Sequence, residues 1–147
     1  MNHLQIQSGA SSQVLLAIDP GKDKCGLALV DRKGEMISRQ IVATSQAIET
    51  IVVLLESHQD AQILIGNSTT SRAMREKLSL ALPNVSLIEV EEKNSTLEAR
   101  ALYWRENPPR GWRRVLPLSL QEPPTPVDDF AAVVLARRFL QSLRIPN

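Results

Sequence analysis

The run Val14-Leu15-Leu16-Ala17-Ile18 ends on Asp19-Pro20-Gly21-Lys22, and no other feature restricts the fold as sharply. An apolar, partly β-branched run of this length reads as a buried central strand. The Pro-Gly pair marks a turn directly after it. The chain must therefore carry a carboxylate at the end of a core strand, which is costly unless that group is paired, hydrogen-bonded or bound to a cation. Asp19 either caps the turn or belongs to a functional site.

The segments beyond this turn set the architecture. Lys22-Asp23-Lys24 makes a tight charged turn, and Cys25 to Asp31 reads as a second strand, antiparallel because the connection is short. Arg32-Lys33-Gly34 turns the chain into a half-exposed third strand, Met36 to Val42. Thr44 or Ser45 caps a helix to about Ser57, with Ile48, Ile51, Val52 and Leu55 at helical spacing. Gln62 to Gly66 is a short buried strand. Thr70 or Ser71 opens a second helix to about Leu82, carrying Met74, Leu78 and Leu82 on one face, and Val85 to Val90 is the next strand. Ser95-Thr96-Leu97-Glu98 has the form of a capping box for a short helix to about Arg105.

Pro108, Pro109, Pro117, Pro123, Pro124 and Pro126 exclude a long helix or central strand between Glu106 and Pro126, leaving an exposed, semi-rigid loop. Thr125-Pro126-Val127-Asp128 opens the last helix, with Pro126 at its first position and Asp128 at its third. Phe130, Ala131, Val134 and Leu135 form its inner face, while Arg137, Arg138 and Arg144 lie late, where the dipole favours cations. The order βββαβαβαα predicts an α/β fold, a mixed five-stranded sheet flanked by helices. Its strands divide into a three-stranded antiparallel meander and two parallel strands.

A chain of 147 residues fits one domain. We place it at 14–147, with residues 1–13 as a disordered tail containing Ser8-Gly9-Ala10-Ser11-Ser12. A hydrophobic content of 43% and a charged content of 22% are globular values. The net charge of +1 gives no global attraction to nucleic acid or membrane, so either would need a local patch. The lone Cys25 suits a reducing compartment and reads as a small core residue. Neither a signal peptide nor a membrane-length apolar run is evident, so a soluble, cytoplasmic protein is expected.

Carboxylates recur where elements meet one sheet edge. Asp19 ends the first strand, Glu91 and Glu92 come after the last, and Asp128 and Asp129 begin the last helix. Parallel strands present their C-terminal ends together, the edge where α/β sites form. Taken singly, Asp128 also fits a capping-box acid, and Glu91 and Glu92 fit ordinary solvated charges. It is their co-occurrence that points to a site. Oxygen donors without a Cys or His cluster suit Mg²⁺ or Mn²⁺ rather than zinc, and neither His3 nor His58 has a partner at ligand spacing. The chemistry suited to such a set is phosphodiester hydrolysis by two metal ions.

Three segments carry a resemblance. Ile18-Asp19-Pro20-Gly21 with Cys25-Gly26-Leu27-Ala28 is similar to the first hairpin of the YqgF (RuvX) family, which belongs to the RNase H-like superfamily and is related to the RuvC Holliday-junction resolvases. Glu91-Glu92-Lys93-Asn94-Ser95-Thr96-Leu97-Glu98-Ala99 resembles that family's Asp-Glu-Arg-x-Thr-Thr-x-Glu-Ala segment, and Asp128-Asp129-Phe130-Ala131-Ala132 its final Asp-x-x-Ala-Ala helix. The resemblance spans roughly Val14 to Leu140. It implies an RNase H-like fold and a catalytic, metal-binding triad of Asp19, Glu92 and Asp128, with Asp129 the alternative third ligand. It also implies Mg²⁺ or Mn²⁺ as cofactor. The substrate it implies is a four-way DNA junction, whose two cuts call for a homodimer, or precursor 16S ribosomal RNA. This chain diverges in two places. Gly66-Asn67-Ser68-Thr69-Thr70-Ser71-Arg72 stands where the family has a Gly-x-Pro segment with a later Gly, and Lys93 replaces a forked Arg by a point charge. The RuvC branch places a Glu on the fourth strand, where Ile65-Gly66-Asn67 offers no carboxylate.

Nucleic-acid contacts are expected from Lys22 and Lys24, from Lys93, and from Ser68, Thr69 and Arg72 at a strand-to-helix junction. That junction reads equally well as a helix cap in a polar loop. Five Arg residues stand against one Glu between Arg100 and Arg114, interleaved with Tyr103, Trp104 and Trp112. Of these, Arg110, Trp112, Arg113 and Arg114 suit backbone contact and base stacking, whereas Trp104 on its helix reads as core. A non-catalytic nucleic-acid-binding module on the same fold is the competing class. A sugar-kinase or actin-like ATPase also starts on such a strand, but needs two domains of this size.

Overall fold

The computed structural model of the chain describes residues 14–144, so the expected tail at 1–13 lies outside the described residues. Three strands come first: β1 (Leu15–Pro20), β2 (Lys24–Val30) and β3 (Met36–Ala43). Next come α1 (Ala47–Ser57), β4 (Gln62–Gly66), α2 (Ser71–Ala81), β5 (Leu87–Val90), α3 (Ser95–Glu106) and α4 (Asp128–Arg144). The five strands form one sheet in the order β3-β2-β1-β4-β5. β1–β2 and β2–β3 pair antiparallel, and β1–β4 and β4–β5 pair parallel. This is the mixed sheet expected from the element order.

Alternation along β1 divides the core in two, because successive side chains point to opposite faces. Leu15 and Ala17 join Ala28, Val30 and Leu64 beneath α3 and α4, while Leu16 and Ile18 join Leu27, Leu29, Ile63 and Ile65 beneath α1 and α2. Cys25 is wholly buried, the small core residue expected of it. Asp19, two residues after Ala17, shares the α4 side.

Four local expectations need correction. No side-chain cap opens α1; a 3₁₀ turn, Thr44–Gln46, leads into it. The Thr44 hydroxyl instead donates to the Gly21 carbonyl at 3.0 Å, tying the end of β3 to the turn after Asp19. β5 is shorter than the run that encodes it. The capping box before α3 does not form: Asn94 takes the N-cap position in the left-handed region (φ 62°) without a side-chain bond, and Ser95 is already helical. The Glu98 carboxylate accepts instead from Arg138. Finally, α4 starts at Asp128, so Pro126 precedes the helix. The Val127 carbonyl accepts its first bond, from the Ala131 N–H.

α4 is buried continuously from Asp129 to Ala136, more than one amphipathic face. It lies on the sheet centre with α3 against its flank, which is why its small residues are covered all round. The 106–126 segment is exposed, as expected, and holds two short 3₁₀ turns, Gly111–Val115 and Leu118–Leu120.

Candidate active site

β1, β4 and β5 run parallel, so Asp19, Gly66 and the Glu91-Glu92 turn stand at one sheet edge. Two glycines make room there. Gly26 is the register partner of Asp19, and a Cβ on it would collide with the Asp128 carbonyl and the Asp129 backbone nitrogen. The absence of that carbon lets the α4 N-terminus rest on β2 beside Asp19. A Cβ on Gly66 would collide with the Glu92 carboxylate. β4 thus brings no carboxylate of its own, and the Glu92 side chain, coming from the end of β5, lies over its last residue.

The electrostatics register this convergence. The Asp19 carboxyl is pushed from 3.8 up to about 8, first by burial, then by the charges of Glu92 and Asp128, and further by a hydrogen bond to Glu92. Glu92 Oε1 is buried with no hydrogen-bond partner. A buried carboxylate oxygen left without a donor is costly and fits a position where a cation binds. Oxygen-only donors likewise suit a hard divalent ion. As the side chains stand, no group of three or more His, Cys, Asp or Glu among the described residues is set out to hold a metal ion.

The doublet at the head of α4 divides its roles. Asp128 is the one that acts on Asp19. Asp129 is buried, accepts from Arg39 at 3.0 Å through Oδ2 and from the Phe130 N–H at 2.9 Å through Oδ1. Arg39 also stacks over the Phe130 ring, 4.2 Å from its centroid.

Two further residues hold Glu92, and sequence reasoning missed both. The Asn67 side-chain oxygen accepts from the Glu92 N–H at 3.2 Å. The Arg138 guanidinium straddles Glu92, donating to the Glu91 and Lys93 carbonyls at 2.6 Å each and to Glu98 at 2.8 Å. A forked, planar donor is suited to such bridging. The spacing of Arg138 ten residues after Asp128 carries no signal by itself, since the partner is a turn that only folding brings near.

The remaining expected residues scatter. Lys22 is exposed on the turn after Asp19, Lys24 is exposed at the head of β2, and Lys93 is exposed in the turn that Arg138 holds. Ser68 Oγ lies 3.1 Å from Thr70 Oγ1, Thr69 is exposed, and Arg72 stands 3.7 Å from Glu76. The Ser71 hydroxyl donates to the Ser68 carbonyl, so the hydroxyls of this junction serve the turn. Arg110, Trp112, Arg113 and Arg114 are exposed, with Trp112 at 70%, whereas Trp104 is buried.

No family model matches the sequence, and no curated protein does. Solved structures do share its architecture. RuvC of Thermus thermophilus is 15% identical with a TM-score of 0.52, over 84% of this chain and 90% of that one. T. thermophilus RuvC in complex with Holliday junction substrate is 13% identical with a TM-score of 0.50, over 88% and 96%. The chain has an RNase H-like α/β fold of the kind found in T. thermophilus RuvC.

Proposed function

We propose that this chain is a divergent member of the YqgF/RuvX family and a Mg²⁺- or Mn²⁺-dependent nuclease acting on structured nucleic acid. The observation that carries the reading is the meeting of Asp19, Glu92 and Asp128, from three separate elements, at the carboxyl edge of this sheet. Asp19, Glu92 and Asp128 would hold the ion, which supplies activation of water and stabilisation of the leaving oxygen in phosphodiester hydrolysis. Asp19, on the central strand, gives the site a rigid anchor. Arg138 and Asn67 fix the Glu92 turn, and Arg39 holds the head of α4 through Asp129. Lys22 and Lys24 stand where they can meet substrate phosphates, and Arg110, Trp112, Arg113 and Arg114 offer charge and a stacking surface.

The substrate is a four-way DNA junction or the 5′ end of precursor 16S ribosomal RNA. The junction complex of the T. thermophilus resolvase favours the first, which requires a homodimer for its two cuts. Cleavage of a four-way junction, linear duplex DNA and a precursor 16S fragment with Mg²⁺ or Mn²⁺ tests the reading. Metal-dependent cutting of one substrate, lost in Asp19→Asn, is expected. A second reading, a binding module without turnover, is favoured by the Gly66–Arg72 segment, which departs from the family's pattern and whose Ser68 and Ser71 hydroxyls serve the turn. Equal binding by both proteins with no cutting would select it.

A further inference from the structure

A basic groove runs along the C-terminal half of α4, at the opposite end of the helix from Asp128. Val134, Arg137, Arg138, Gln141 and Arg144 recur at spacings of three and four, so they form one stripe of the helix. Two adjoining concavities of about 300 Å³ each lie on this stripe and share Arg137 and Gln141. One is flanked by Arg105 of α3, the other by Lys33 and Glu35 of the β2–β3 turn. Arg138 is neutralised by Glu98. Lys33, Arg105, Arg137 and Arg144 against Glu35 leave a local charge of +3, while the whole chain carries only +1. The rest of the molecule therefore sums to −2, and the groove is one of two places where positive charge gathers, the other being the Arg100 to Arg114 segment. The Arg137 Nε donates to the Gly34 carbonyl at 3.0 Å, which holds its guanidinium in the shared wall.

We propose that this groove binds the sugar-phosphate backbone of a nucleic-acid duplex at a distance from the cleavage site. The inference rests on the nuclease reading and names where its substrate's arm lies. At a rise of about 1.5 Å per residue, Arg137 and Arg144 stand about 14 and 24 Å along α4 from Asp128. That places the far end of the groove about seven base pairs from Asp128, while its near end meets the Glu92 turn through Arg138. Mostly guanidinium donors, with no aromatic ring among the lining residues, match a run of phosphates rather than bases or the side chains of a peptide.

The test is the salt dependence of binding by Lys33→Ala/Arg105→Ala/Arg144→Ala, three exposed positions outside the carboxylate site. Fluorescent 24-base-pair DNA and RNA duplexes, and six-base-pair versions, are titrated with wild type and variant between 50 and 300 mM KCl. On the long duplex the slope of log K against log [KCl] should fall by about 2–3, with affinity down at least about tenfold at low salt. On the short duplex the two proteins should agree. The DNA and RNA arms distinguish the two sources of the backbone. An unchanged slope with wild-type binding intact would overturn the groove alone. Wild type that binds neither duplex would overturn the groove and the nuclease reading together. Displacement by poly-glutamate as readily as by duplex would reassign the groove to an acidic polypeptide.

Discussion

A carboxyl with a pKa of about 8 in the fold and 3.8 outside it takes up a proton on folding at any pH between those values. Since the folded state binds more protons there, stability from Asp19 is complete below pH 3.8 and is lost as pH rises through 8. In metal-free buffer the protein should lose about 5 kcal/mol at most through this group between pH 4 and pH 8. Thermal unfolding in EDTA should show a falling Tm over that range, flattened in Asp19→Asn, which should melt higher than wild type at pH 8. The two site glycines should behave differently. At Gly26 an added methyl meets backbone, which cannot give way, so Gly26→Ala should cost roughly 3 kcal/mol and a matching drop in Tm. At Gly66 it meets a side chain, so Gly66→Ala should nearly keep its Tm and lose Mn²⁺ affinity as Glu92 is displaced. Neither glycine advertises this role by a turn or a positive φ. Each is needed for a close approach, and the approaching group is far away in sequence.

α4 carries one carboxylate of the site at its head and the guanidinium that holds another ten residues later. Its register against the sheet therefore sets both Asp128 and Glu92. Arg138→Ala should weaken Mn²⁺ binding by about 10- to 100-fold, the range for outer-shell partners of metal ligands. Arg138→Lys should recover little, because a point charge cannot reach two carbonyls at once. Measured in the Glu92→Gln background, Arg138→Ala should add almost nothing, which separates action through Glu92 from general loss of stability. The elements themselves were readable from apolar periodicity and turn residues, including the short strand at Gln62, though α4 begins two residues after the expected Pro126. The caps were not. Ser95 and Glu98 satisfy a capping pattern, yet Asn94 can adopt the left-handed conformation and Arg138 offers Glu98 a charged partner from another helix.

At the scale of the whole molecule, two apolar layers sandwich one sheet, and charge is parted between a carboxylate edge and a basic groove on the same helix. Among the described residues no helix is long and apolar enough to cross a membrane. A divalent ion at the carboxylate edge should stabilise the fold by binding only the native state. Saturating Mn²⁺ should therefore raise Tm at pH 8 more than at pH 5, where protons compete for Asp19. An equal rise at both values would mean that the ion binds elsewhere. If a four-way junction is the substrate, light scattering should give a complex containing two copies of the chain.

The order of strands and helices, the buried first strand carrying Asp19 near its end, and the exposure of the proline-rich segment were determined by the sequence alone. Each comes from local spacing, from residues that forbid a helix or a ladder, or from the cost of hiding a charge. Tertiary structure decided which carboxylates meet, which of Asp128 and Asp129 acts on Asp19, and which residues hold Glu92. Those outcomes depend on the parallel pairing that gathers strand ends and on two missing Cβ atoms that let distant backbone and side chains come close. Local patterns do not record such distances, because the partners lie from 25 residues apart (Asn67 and Glu92) to 102 (Gly26 and Asp128).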